Sequence, residues 1–214
     1  KAGEWLFPKK IVNTSKFCVI HNAVDREKYK YSVQKREEIR GSMGITDQFV
    51  IGHVGNFCYQ KNHYFLLDVF EEVHKKDPNT VLLLAGDGVR FEKVRQIVAE
   101  KNLEDVVKLL GRRSDTDYLY QGMDAFLLPS NFEGLPIAGI EAQSAGLPCF
   151  MSDEITKESK ITEACYFIPL KSGAKYWAEE ILDNRMERQS AEFLDNAEQY
   201  DLANQDQELK SLIR

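Results

Sequence analysis

Residues 132–141 read Phe-Glu-Gly-Leu-Pro-Ile-Ala-Gly-Ile-Glu and carry the chain's clearest chemistry. Glu133 falls in a loop, Gly134 and Pro136 open a helix, and Glu141 lies within that helix. Proline suits the first helical position, because the N–H it lacks would have no intrahelical partner there. The N–H groups of Leu135, Ile137 and Ala138 are then left at the positive end of the helix dipole, where a phosphate can bind. Glu141 stands roughly 7 Å further along the axis. Two acceptor-only carboxylates flanking a phosphate cradle match the hydroxyls of a sugar and a ribose joined through a diphosphate. That is the pattern of a nucleotide-sugar site. The competing reading is a well-started helix with two solvated glutamates, which an isolated pair would favour.

Such a loop needs strands on both sides of it. Asp124-Ala-Phe-Leu-Leu-Pro129 reads as a strand feeding the loop, and Ser144-Ala-Gly-Leu-Pro-Cys-Phe150 ends the helix and enters another strand. Elsewhere strands are expected at 49–54, 81–85, 106–110, 125–128, 149–151 and 166–168. Helices are expected at 64–75, 91–101, 118–121, after Pro136 and from Tyr176 onward. Short apolar strands alternating with helices, several without polar alternation, predict an α/β fold: a doubly wound parallel sheet, Rossmann-like, with ligands at the carboxyl ends of the strands.

Composition narrows the class. The 214 residues carry a net charge of −6 and 43% apolar residues. There is no basic tract, which argues against nucleic acid as a partner. No apolar run is long enough to span a bilayer. Cys18, Cys58, Cys149 and Cys165 show no metal-ligand spacing and read as reduced thiols of a reducing compartment. Asn13-Thr-Ser15 matches a glycosylation sequon only by pattern. His21 and His53 fall in or beside strands, and His63 and His74 are eleven apart. No metal site follows from them.

The block from about Val19 to Leu170 resembles the retaining glycosyltransferases of the large group 1 (family 4) class. In that family Glu-x7-Glu sits between a strand ending in Pro-Ser and a helix ending in Ala-Gly-x-Pro. The resemblance implies a two-domain GT-B architecture with an acceptor-binding N-terminal half and a donor-binding C-terminal half. It identifies this chain with the donor half. Residues 1–18 would then be the end of an N-terminal domain and a linker, 19–185 the nucleotide-sugar-binding domain, and 186–214 a helical tail crossing back to the first half. Trp5, Leu6 and Phe7 at one end, and Phe193, Leu194, Tyr200, Leu202, Leu209 and Ile213 at the other, would pack against that half.

The resemblance also implies roles for particular residues. Glu133 would hold donor-sugar hydroxyls and Glu141 the ribose, with the phosphates at Gly134, Leu135, Pro136 and Ile137. In Gly55-Asn-Phe-Cys-Tyr-Gln-Lys61, the family has Gly-Arg-x4-Lys, both cations holding the diphosphate. Lys61 matches, but Asn56 replaces the arginine, and a neutral amide cannot make the bidentate phosphate contact. Gly86 of Ala85-Gly-Asp-Gly88 would lie near the donor, Asp87 being read as part of a β–α turn. The base would lie near Arg112 and Arg113. Glu133 and Lys61 are the expected catalytic residues.

Asp115-Thr-Asp117 resembles a metal-binding Asp-x-Asp but falls at a helix start, where aspartates are favoured as caps. No metal or other cofactor is expected. The implied reaction is transfer of a sugar from a nucleotide-diphosphate sugar, with UDP the expected nucleotide, to an acceptor hydroxyl with retention. The setting would be polysaccharide or glycoconjugate biosynthesis in the cytoplasm, at the inner membrane face if the other half makes a peripheral contact. Two alternatives stay open: a UDP-sugar 2-epimerase-like isomerase, which shares the architecture, and a non-catalytic nucleotide-sugar-binding module, which Asn56 favours.

Overall fold

The computed structural model describes residues 7–14, 17, 22–205 and 210. Trp5, Leu6, Cys18, Val19, Ile20, His21, Leu209 and Ile213 lie outside them, and with them part of the expectation for both ends.

Six parallel strands form one sheet: β1 (Phe49–Val54), β2 (Thr80–Ala85), β3 (Val107–Gly111), β4 (Ala125–Leu128), β5 (Cys149–Ser152) and β6 (Cys165–Ile168). Their order across the sheet is β3-β2-β1-β4-β5-β6. The principal helices are α1 (Val33–Ser42), α2 (His63–Lys76), α3 (Phe91–Glu100), α4 (Thr116–Gly122), α5 (Ile137–Ser144) and α6 (Gly173–Asp183). The doubly wound architecture expected from the sequence is the one observed.

Successive strand residues feed two cores, one on each face of the sheet. Val50, Leu83 and Phe126 pack on one face with Ile39 of α1, Leu119 and Tyr120 of α4 and Ile140 of α5. Ile51, Leu82 and Leu127 pack on the other with Leu66 and Phe70 of α2, Val94 of α3 and Trp177 of α6. Both faces of β2, β4 and β5 are buried throughout, so these strands show continuous apolar runs rather than alternation.

Helix α1 is not among the helices the sequence pattern predicts, because its apolar stripe is thin. What holds it is Asp124, at the foot of β4. Its carboxylate accepts from Arg36 (2.5 Å), Arg40 (3.2 Å) and the Val50 N–H (2.8 Å). Arg36 and Arg40 are one turn apart on α1, so both reach the same acceptor. Removing either partner from this enclosed cluster would leave a charge without compensation.

Three expectations need correction. Pro136 is not the first helical residue but the cap before it, with φ −79° and ψ 102°, and α5 begins at Ile137. The Pro136 carbonyl accepts from the Gly139 N–H (2.9 Å), so within the first turn the N–H groups of Ile137 and Ala138 are the ones without an intrahelical acceptor. The segment 186–205 is not one continuous helix. It has no regular secondary structure from 186 to 192, bridges Thr162 at Phe193, makes a 3-10 turn at Asp195–Tyr200, pairs Asp201 with Val24 and ends in a helical turn at 202–205. Tyr200 is fully buried and its hydroxyl donates to the Glu158 carbonyl at 3.0 Å. As far as residue 205 the tail is therefore fastened to this domain. Asp115 precedes α4 but makes no side-chain cap; its carboxylate instead takes both arms of Arg113, at 2.8 and 2.6 Å.

The turn after β2 depends on a missing side chain. Gly86 has φ +138°, and a Cβ there would lie 1.9 Å from the Gly55 carbonyl oxygen. Gly86→Ala should destabilise the fold by about 3 kcal/mol, since backbone strain and a backbone clash coincide. Gly134→Ala meets nothing within 4 Å and should stay within about 0.5 kcal/mol of the parent. Urea unfolding of both variants checks the contrast.

Candidate functional site

The loops leaving β1 and β4, neighbours in the sheet, run to helices on opposite faces, which opens a crevice at the carboxyl edge. A cavity of about 470 Å³ lies beside it, lined by Val54, Gly55, Asn56, Ala85, Gly86, Asp87, Gly88, Arg112, Arg113 and Thr116. Its floor is backbone. The Gly55 N–H donates to the Ala85 carbonyl (3.0 Å) and the Gly86 N–H to the Gly111 carbonyl (2.8 Å), so three strand ends are laced together. Four sequence-predicted residues, Gly55, Asn56, Gly86 and Arg112, share this wall. Arg113 is committed to Asp115, whereas among the described residues no acid pairs with Arg112. Asp87 serves the turn, as expected: its carboxylate accepts from the Gly88 N–H at 2.7 Å.

Lys61, Glu133, Gly134, Leu135, Pro136 and Ile137 form a second group, on the two loops that flank the crevice. Lys61 Nζ lies 2.5 Å from Glu133 Oε1, with both side chains largely buried. The same carboxylate oxygen accepts from Ser130 Oγ at 3.2 Å. Asn131 straps the loops together, its N–H donating to the Gln60 carbonyl (2.8 Å) and its Nδ2 to the Tyr59 carbonyl (2.7 Å). Asn62, in the left-handed conformation at φ 55°, turns the chain directly into α2; asparagine is one of the few residues that tolerate this. The two groups meet at Gly55, where a built Cβ would lie 3.2 Å from Lys61 Cε.

Glu141, on α5, has partners that no motif of the sequence announces. The Tyr29 hydroxyl donates to Oε1 (2.7 Å) and the Tyr120 hydroxyl to Oε2 (2.9 Å). Burial, reinforced by the adjacent carboxylate, pushes both phenols well above their ordinary range, so both remain donors. Thr116, at the start of the helix that carries Tyr120, lines the cavity wall.

Two histidines that looked unrelated in the sequence are neighbours. The rings of His53 and His63 meet edge-on at 4.8 Å, and His63 stacks on Phe57 at 4.0 Å. His53 Nδ1 bonds the Leu127 carbonyl (2.8 Å), while His53 Nε2 and both nitrogens of His63 have no protein partner. Burial, with the Lys61 charge added, lowers His63 from its ordinary 6.5 to about 4; burial and His63 lower His53 as well. Among the described residues no group of three His, Cys, Asp or Glu side chains is placed to hold a metal.

The family described as glycosyl transferases group 1 matches residues 35–200. The chain belongs to that family. It is 34% identical over 158 residues to a protein named as a glycosyltransferase, EpsF of Bacillus subtilis (strain 168), covering 73% of this chain and 41% of that protein. It is 33% identical over 146 residues to the Escherichia coli UDP-Gal:alpha-D-GlcNAc-diphosphoundecaprenol alpha-1,3-galactosyltransferase, covering 66% of this chain and 38% of the other. This chain therefore spans about two fifths of the length of these relatives. The fold is similar to that of Anabaena Alr3699/HepE, solved in complex with UDP and glucose, with a TM-score of 0.77 at 22% identity over 92% of this chain and 56% of that one.

The histidine pair makes a pH prediction. Between pH 6.5 and about 4 the unfolded chain binds a proton at His63 that the folded chain refuses, so stability falls as pH drops through this window. His63→Phe, with no buried nitrogen to protonate, should lose less. The difference between variant and parent should grow by about 2–3 kcal/mol between pH 7 and pH 4, read from denaturant unfolding at each pH.

Proposed function

We propose that this chain is the donor-binding part of a retaining glycosyltransferase that moves a sugar from a nucleotide-diphosphate sugar, with UDP as the nucleotide, to an acceptor hydroxyl. The observation that carries this reading is the Lys61–Glu133 ion pair at the crevice between β1 and β4, beside a glycine-walled cavity. Without a ligand each charge neutralises the other. A diphosphate entering the crevice competes for Lys61 and so releases the Glu133 carboxylate. Glu133 can then accept hydrogen bonds from the donor sugar. Charge developing on the departing diphosphate would be met by Lys61 and by the unpaired N–H groups at the start of α5, fixed in place before the reaction begins. Arg112, unpaired with any acid among the described residues, would serve the base side, and Glu141 would receive the ribose. No metal is needed for this.

The E. coli relative's name includes a UDP-sugar, and HepE was solved with UDP and glucose; both support UDP as the nucleotide. Retention and polysaccharide or glycoconjugate synthesis rest on the family resemblance. The acceptor would bind elsewhere in a longer protein, consistent with the short span of the relatives covered here, and any membrane contact would lie there too. A cytoplasmic location belongs to the same proposal. Family membership favours a transferase over the isomerase alternative. Asn56 keeps the non-catalytic reading in play, because the wall carries one cation fewer than the family pattern.

Calorimetry on this chain tests the phosphate assignment. UDP should bind, and Lys61→Ala should weaken it by about 1–3 kcal/mol, the loss of a hydrogen bond to a charged group. Uridine, with no phosphate, should be nearly unaffected. Asn56→Arg should tighten UDP by a smaller amount, since a rim cation is screened. Equal losses for UDP and uridine, or none for either, would make Lys61 a structural lysine and remove the assignment.

A further inference from the structure

We propose that Tyr29 and Tyr120 are positioning residues that hold the Glu141 carboxylate ready for a vicinal diol, the 2′ and 3′ hydroxyls of the nucleotide's ribose. The proposal rests on the reading of Glu141 given above and adds residues to it that no motif contains.

The geometry is specific. Each tyrosine hydroxyl takes a different oxygen of one carboxylate, at 2.7 and 2.9 Å. A carboxylate offers about two lone-pair directions per oxygen, so one on each remains for a ligand. The two rings are set edge to face at 5.8 Å, Tyr120 fully buried and Tyr29 nearly so. Glu141 itself is only half-buried, and without these donors its three side-chain rotors would be free to swing.

The tyrosines come from separate parts of the chain, and each is anchored. Tyr120 belongs to α4, and its hydroxyl also lies 3.2 Å from the Ala138 carbonyl of α5. Tyr29 ends a short helical turn, Arg26–Tyr29, capped by Asp25. Buried Gln121 donates to the Tyr29 carbonyl at 3.0 Å, and Arg26 pairs with Asp201 of the tail at 2.7 Å. Tyr120 shares α4 with Thr116, a residue of the cavity wall that Gly86 and Arg112 also line. The ribose acceptor is thus tied to the base side of the cavity through α4. This also gives the folded tail a role: it braces the turn that carries Tyr29.

The test compares UDP with 2′,3′-dideoxyuridine diphosphate, which keeps the base and both phosphates but lacks the diol. The parent chain should bind UDP about tenfold or more tightly than the dideoxy analogue, the weight of a hydrogen bond to a charged acceptor. In Tyr29→Phe, which removes one oxygen from a residue with 7% exposure, that preference should fall to about threefold or less, with dideoxy binding within about twofold of the parent. Tyr120→Phe should act in the same direction; if that core variant fails to fold, Tyr29→Phe alone decides. A preference that survives Tyr29→Phe, even with weaker binding of both ligands, means the tyrosines only fill the core, and the proposal is wrong. No preference in the parent chain overturns the ribose reading of Glu141 itself, and the proposal with it.

Discussion

Everything at the candidate site follows from the reversal of strand order between β1 and β4. Because β2 and β3 extend the sheet one way from β1, and β4, β5 and β6 extend it the other way, the chain leaving β1 and the chain leaving β4 must diverge. No helix can cover the gap that opens between them. Lys61 and Glu133 occupy those two departing loops. The cavity wall is made from the ends of β1, β2 and β3, and α5 begins on the other side. A doubly wound sheet thus brings one cation, one carboxylate, a helix start and a glycine-lined wall into one neighbourhood.

Within that crevice the electrostatics are self-contained. A buried lysine or glutamate without a partner is costly, and the ion pair removes that cost in the free protein. The same pairing makes each residue's availability depend on the other: an anion that takes Lys61 frees Glu133. The strap formed by Asn131 holds the two loops in register, so the proposed exchange would need side-chain movement and little else. The neutral, buried His53–His63 pair lies against the base of the same loop. It contributes a rigid, uncharged floor at neutral pH, at the cost of acid stability.

Much of the fold was legible, for a physical reason. Strands buried on both faces are short apolar runs, and 49–54 and 125–128 stand out as such. The glycines at 86 and 88 read as a tight turn after the second strand, and both do take positive φ there. The first helical turn beyond Leu135 could be located, though proline's preference put its start one residue early. What the sequence hid was tertiary. Helix α1 is mostly polar, and the shared partner Asp124 explains why it docks. The Lys61–Glu133 pair joins residues far apart in the chain, as does His53 with His63. Tyr29 looked like any aromatic residue near a linker, because nothing local distinguishes a hydroxyl that meets a carboxylate from one that meets water. The tail's apolar residues were assigned to a separate half, yet Tyr200 finds its place on this domain.

The most direct test is a crystal structure of this chain grown or soaked with UDP. The account predicts diphosphate oxygens within hydrogen-bonding distance of Lys61 Nζ and of N–H groups at the start of α5. Glu133 should be parted from Lys61, and the ribose diol should lie on Glu141. A UDP molecule bound with the Lys61–Glu133 pair intact and its phosphates pointing away from the β1–β4 crevice would contradict the account.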